Sequence, residues 1–262
     1  MKTKRNALVI VDPQNDFCDQ RGSLYVDGAY ADIKRLAAHI SALSAPYTDI
    51  FVSLDSHDVN AIFHPNFWLD EAGDSPAPYT MITPADFTSG KWRLAAKENE
   101  PYVTNTFQVI REKKLPGVMV WPQHCVVSTW GHQISDTLRE ALSTWRDRTG
   151  KAVRYVFKGE NPYTDQFSIF EGVDDSYPET AFNKNLFETL TAFDSVTFAG
   201  EALSHCVGES VLSYVNRLEN ETQEIFLLTD CTSTVTGFAK EEMLDKLAEK
   251  NISFICSEAF TE

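Results

Sequence analysis

The chain has 262 residues, 43% of them hydrophobic and 12% aromatic, enough for one large α/β domain or two small ones and too apolar for a disordered chain. Its formal charge of -15, from 38 acidic against 23 basic side chains, argues against nucleic acid and anionic membrane as partners and leaves a small neutral substrate open. No run is apolar for long enough to span a bilayer, and five cysteines without a CxxC pair suit a reducing, cytoplasmic compartment.

The start, Met1-Lys2-Thr3-Lys4-Arg5, is basic, but the apolar run after it stops at Asp12, too soon for a secretory signal. That run, Ala7-Leu8-Val9-Ile10-Val11, predicts a strand buried on both faces. Ile33, Leu36, Ala37, Ile40 and Leu43 follow at helical spacing, and Ile50-Phe51-Val52-Ser53-Leu54 reads as a second strand. Ile134, Leu138, Leu142 and Trp145 mark another helix, Val153-Arg154-Tyr155-Val156-Phe157 a third strand, and Leu186, Phe187 and Leu190 a short helix. Val196-Thr197-Phe198-Ala199 is a fourth strand, and Val207, Val211, Val215 and Leu218 line the helix after it. Ile225-Phe226-Leu227-Leu228 is a fifth strand, Met243, Leu244 and Leu247 sit on a helix, and Ile252-Ser253-Phe254-Ile255 is a sixth strand. This alternation predicts a doubly wound α/β fold: a six-stranded, mainly parallel sheet with helices on both faces and ligands bound beyond the carboxyl ends of the strands. The chain reads as a single domain, 1–262. From about 65 to 121 it is irregular and rich in Pro, Asp and aromatics, which suggests a lid-like insertion over that carboxyl face, or alternatively a hairpin or dimer contact.

Three candidates for chemistry stand at strand ends. Asp12 closes the first strand; taken alone it is as well explained by a turn or a helix cap, a role that suits Asp16 better. Lys158 follows the third strand. Most lysines are solvated, but beside Cys206 its charge would favour thiolate, and beside Asp12 it would keep the carboxylate ionised. Cys206 opens the helix after the fourth strand. Free N–H groups and the positive dipole end there lower a thiol's pKa and can hold an oxyanion. A buried, inert cysteine is the alternative, and the one that fits Cys125, Cys231 and Cys256. His205 neighbours the thiol but should point away from it, which favours Asp12 as the base. After the second strand, Asp55 and His57 are two apart on extended chain and can face one ion, although a lone surface histidine is the commoner case. His64 and His124 are further candidates, while His39 and His132 read as solvated.

With these residues in place the chain resembles a nicotinamidase of the isochorismatase-like (cysteine) hydrolase family, over nearly its full length. The resemblance rests on Ala7 to Phe17, Asp55-Ser56-His57, Val120-Trp121-Pro122-Gln123-His124-Cys125 with Thr129-Trp130-Gly131, Phe157-Lys158-Gly159, Phe170-Glu171-Gly172 and Ala202-Leu203-Ser204-His205-Cys206-Val207. It implies Asp12 as general base, Lys158 as its support and Cys206 as nucleophile. It implies Asp55, His57 and His124 as ligands of one divalent metal, zinc first with Fe2+ or Mn2+ as alternatives, and His64 as a ligand in some members. Phe17 and Trp121 resemble the walls that sandwich the pyridine ring, and Glu201–Ala202 the family's non-proline cis bond beside the oxyanion donors. The implied reaction is metal-dependent hydrolysis of nicotinamide to nicotinate and ammonia through a cysteine thioester. Another small amide or carbamoyl substrate, pyrazinamide as a side activity, or a non-catalytic binding relative are the alternatives. Family members also form homo-oligomers. Ser204 departs from the Asp that many relatives carry two residues before the nucleophile, and the 65–121 segment is longer than in compact relatives.

Overall fold

The computed structural model describes residues 4–42, 46–220 and 222–260, so Leu43 and Met1 to Thr3 of the sequence reading lie outside the described residues. The strands of the main sheet are β1 (Asn6–Val11), β2 (Asp49–Asp55), β3 (Arg154–Lys158), β4 (Ser195–Gly200), β5 (Glu224–Leu228) and β6 (Ser253–Ile255). Their order is β6-β5-β4-β1-β2-β3, and every pairing is parallel. The chain therefore runs outward from β1 in one direction and returns to its other side at β4. The point where a doubly wound sheet reverses leaves a crevice beyond its strand ends, and here that crevice lies between β1 and β4.

Side chains of β1 alternate between two cores, as the two-residue period of a strand requires. Leu8 and Ile10 join the core under α1 (Ala29–Ser41) and α3 (Asp136–Thr149), with Leu36, Ile40, Leu138 and Trp145. Ala7, Val9 and Val11 join the opposite core under α4 (Lys184–Thr191), α5 (Gly208–Val215) and α6 (Lys240–Ala248), with Leu190, Val211, Tyr214 and Leu247. Burial on both faces is why the run is unbroken by polar residues. The edge strand β3 is different: Tyr155 and Phe157 are exposed, and only its last residue, Lys158, is buried.

Three local expectations need correction. Lys158 does not follow β3 but ends it, in register with Asp55 of β2. Cys206 does not open α5; it lies in a five-residue π-helical turn, Leu203–Val207, that leads into the helix. The 65–121 segment is not structureless. It carries α2 (Glu100–Glu112), the shorter Pro84–Ser89 helix with a Thr83–Asp86 capping box, and two-residue antiparallel ribbons pairing 68–69 with 93–94 and 81–82 with 118–119. Val103, Phe107 and Ile110 of α2 are buried at helical spacing, a short pattern hidden among the prolines and charges around it. Among the described residues no helix is long and apolar enough to cross a membrane.

Candidate active site

The carboxyl ends of β1, β2 and β3 bring Asp12, Asp55 and Lys158 to one point, and the turn after β4 brings Cys206 to it. Lys158 Nζ lies 2.9 Å from Asp12 Oδ2, 2.8 Å from Asp55 Oδ1 and 3.4 Å from Cys206 Sγ. Carboxylate oxygens of Asp12 and Asp55 and the Cys206 sulfur all lie within 4.8 Å of one another. That trio could itself face a cation, but the Lys158 ammonium already fills the place. All four side chains are buried. Asp12 sits at φ 45°, and its Oδ1 accepts from Ser53 Oγ at 2.6 Å.

Burial is the largest influence on each of these groups. It raises Asp12, with Asp55 adding to the rise and Lys158 and Ser53 offsetting part of it. It pushes the Cys206 thiol well up, and a hydrogen bond to Asp12 holds the proton on sulfur. The direction is opposite to the sequence expectation of a lowered thiol pKa: desolvation, with Asp12 and Asp55, outweighs the lysine and favours the protonated thiol. Burial opposes the charge of Lys158, but the Asp12 and Asp55 carboxylates more than restore it and hold its pKa well above the ordinary lysine value.

Beside this cluster stands a second one. Nε2 of His57 is 2.9 Å and Nε2 of His124 is 3.8 Å from Asp55 Oδ2. These three residues offer donor atoms within 4.8 Å of one another. The opposite ring nitrogens are both engaged by backbone: His57 Nδ1 with Gly159 O at 2.9 Å, His124 Nδ1 with Pro122 O at 2.8 Å. A neutral histidine that donates Nδ1–H to a carbonyl leaves its Nε2 lone pair free, the usual arrangement behind a metal ligand. Burial, with the neighbouring His57, holds His124 well below its ordinary pKa, which also keeps the imidazole neutral. The donor set of one carboxylate and two imidazoles fits a divalent metal. His64 is next to the group but outside it: its Nδ1 meets Val59 O at 3.2 Å, and its Nε2 accepts the His124 N–H at 3.5 Å.

Backbone pairing builds this pocket. The His57 N–H donates to Cys125 O, and the Val127 N–H donates to His57 O, so the 124–127 strip is docked alongside the end of β2. Asp16, read as a turn former, also anchors that strip by accepting the Cys125 N–H at 2.7 Å. Gly159 is required where it stands: a Cβ there would lie 2.4 Å from the His57 ring and 2.7 Å from Asp55 Oδ1. A cavity beside the thiol is lined by Phe17, Trp121, Ala202, Cys206, Asp55, His57 and His124. The Phe17 ring lies 5.5 Å from that of His124. The Glu201–Ala202 peptide bond is cis.

No family model matches the chain. It is 27% identical to the nicotinamidase of Saccharomyces cerevisiae over 209 residues, 79% of each chain. It is 26% identical to the nicotinamidase/pyrazinamidase of Mycobacterium tuberculosis over 254 residues, 96% of this chain and 98% of the other. The chain is thus similar to curated nicotinamidases, and its fold is that of solved isochorismatase-like hydrolases. The solved yeast nicotinamidase superposes with a TM-score of 0.67 at 21% identity, covering 95% of this chain and 99% of that one, and it has also been solved with the inhibitor nicotinaldehyde. The pyrazinamidase of Pyrococcus horikoshii, solved in complex with zinc, superposes at 0.59 and 19% identity, covering 96% and 99%.

Several residues of the site escaped the sequence reading. Ser53 was legible as a hydroxyl on a strand otherwise apolar, and it faces Asp12. Gln14 bridges strands: its side chain accepts from Asp55 N–H and donates to the carbonyls of Asp55 and His132. Asp165 lines the cavity from the loop after β3, and burial raises its carboxyl to about 7. No local signal marks either. His39 is not solvated but buried against Tyr47, with Nε2 2.9 Å from its hydroxyl. His132 is half-buried, its Nε2 at 2.9 Å from Ser56 Oγ. Cys125 and Cys231 are buried as expected, but Cys256 is exposed.

Proposed function

We propose that the protein is a metal-dependent nicotinamidase that hydrolyses nicotinamide to nicotinate and ammonia through a thioester on Cys206. The observation that carries this reading is the single Asp55 carboxylate shared between the lysine beside the thiol and the two inward-facing imidazoles. It fits a substrate held by a ring nitrogen at one end while its amide is attacked at the other. The relatives' names favour the same substrate class, with pyrazinamide as a second substrate.

Asp55, His57 and His124 would hold the divalent ion, zinc by the donor set and the Pyrococcus complex, with Fe2+ or Mn2+ as alternatives. Bound there, it would supply a Lewis-acid position suited to a pyridine nitrogen. Phe17 and Trp121 flank the ring. Asp12 takes the thiol proton as sulfur bonds to the carboxamide carbon, and the carbonyl electron pair moves onto oxygen. The N–H groups of Ala202 and Cys206 receive the oxyanion. As the C–N bond breaks, the Asp12 proton passes to nitrogen and ammonia leaves a thioester. Asp12 then takes a proton from water as it attacks; the C–S bond breaks, and sulfur is reprotonated. Lys158 stays charged throughout, offsetting the carboxylates around it. With unpaired cysteines throughout, a reducing cytoplasm is the compartment we assign.

The test is ammonia release by purified protein from nicotinamide, pyrazinamide and a panel of aliphatic amides and carbamoyl compounds, with and without chelator. Nicotinamide should lead, and chelator should suppress it. Preference for an aliphatic amide or carbamoyl compound, or indifference to chelator, would replace this reading by that of a related amidohydrolase.

A further inference from the structure

A second cavity abuts the first. The two share Trp121, Asp165, Phe167 and His205 as lining residues. Around the thiol the free volume is about 40 Å³; next door it is about 200 Å³. An apolar cavity of ~150 Å³ is enough to hold benzene. The walls of the larger cavity come chiefly from the 65–121 segment: Ile110 of α2, and Met81, Val118 and Met119 of a short ribbon, faced by Val173 and Phe238.

Its polar side chains are mostly already engaged. Thr106 Oγ1 donates to Tyr163 O at 2.7 Å, Thr164 Oγ1 accepts the Asp174 N–H at 2.9 Å, and His205 Nδ1 is 2.9 Å from Ser204 Oγ. What remains to meet a ligand is mainly apolar surface, with the Asp165 carboxyl at the boundary to the first cavity. The shared wall is aromatic, with the His205 ring 5.3 Å from Trp121, 5.5 Å from Phe167 and 4.5 Å from Phe238. Asp165, Phe167 and His205 are only half-buried, so the wall can yield by side-chain rotation. Leu115 and Phe238, exposed at 39% and 44%, form an apolar rim.

We propose that this cavity is a subsite for an apolar substituent on the substrate's ring, so that the protein hydrolyses alkyl- or aryl-substituted pyridine carboxamides as well as the parent amide. The inference rests on the nicotinamidase reading. It assigns the 65–121 segment a part in specificity: its helix and ribbon build the chamber. Adjacency to the reaction site, across a wall that side-chain rotation can open, favours a group carried by the substrate over a separate ligand.

The test compares ammonia release from nicotinamide and from nicotinamides bearing methyl, ethyl or phenyl at ring carbons 5 and 6. In wild type at least one substituted amide should reach kcat/KM within about tenfold of nicotinamide, and Met119→Trp or Leu115→Trp should lower it about tenfold or more while nicotinamide turnover, which also reports folding, stays unchanged. Rejection of every substituted amide by a protein that turns over nicotinamide would overturn the subsite alone. So would variants that slow both substrates equally, or a free apolar compound that raises the melting temperature without competing with nicotinamide. Absence of nicotinamide turnover in wild type would instead remove the nicotinamidase reading, and the subsite with it.

Discussion

Lys158 donates to Asp55 at 2.8 Å, which ties the ammonium beside the thiol to the carboxylate that faces His57 and His124. A buried cation between two buried carboxylates is held by them, and they by it. Removing it leaves uncompensated charge. Lys158→Met should therefore destabilise the fold by about 3–5 kcal/mol and abolish turnover. Adding Asp12→Asn should recover part of the stability and none of the activity. Urea unfolding of the two variants separates these effects, and an unchanged midpoint in Lys158→Met would refute the charge balance described above.

Asp12 accepts from Ser53 and faces Lys158; an asparagine of the same shape can accept from Lys158 with its one carbonyl oxygen and donate its amide N–H to Ser53 Oγ. Asp12→Asn should keep the fold but lose proton transfer, with kcat falling by about 10²–10⁴. Steady-state ammonia release measures this. Activity near wild type would assign the base to another group.

The donor triad makes a prediction independent of turnover. His57→Ala should lose bound metal, since two ligands then remain of three, while Cys206→Ala should keep it because its sulfur lies on the Lys158 side of Asp55. Elemental analysis of the purified variants decides. Metal content unchanged in His57→Ala would remove that residue from the ligand set.

His205 is held at about 4, below its ordinary 6.5, by burial among aromatic rings. It is neutral in the fold, whereas the unfolded chain takes up a proton as pH drops below about 6.5. The unfolded state then binds more protons, so stability falls from pH 6.5 towards 4. Replacing His205 by Phe removes this contribution, and the difference between the urea midpoints at pH 7 and pH 5 should shrink. An identical difference in wild type and variant would show that His205 titrates normally.

The sheet was legible because burial on both faces favours continuous apolar runs, which β1 displays and β4 interrupts at its centre only by Thr197. Edge strand β3 was harder: Lys158 reads as a residue beyond the strand, yet its pairing with Asp55 extends the ladder by one position. Helix α2 was hidden because only Val103, Phe107 and Ile110 mark its buried stripe within a charged segment. At the site, Asp12, Lys158 and Cys206 could be named from strand-end positions, but not the protonation of the thiol, which depends on desolvation by parts of the chain far apart in sequence. Gln14 and Asp165 carry no local mark, since their roles arise from which loops the fold brings beside β2. His39 shows the converse limit: an imidazole on a helical stretch reads as solvated until Tyr47 is found against it.

The most direct test of the account is rapid-quench mass spectrometry of the protein mixed with nicotinamide. It should find a nicotinoyl group on the peptide containing Cys206, formed as ammonia is released and absent from Cys206→Ala. Undiminished ammonia release by Cys206→Ala would contradict the account.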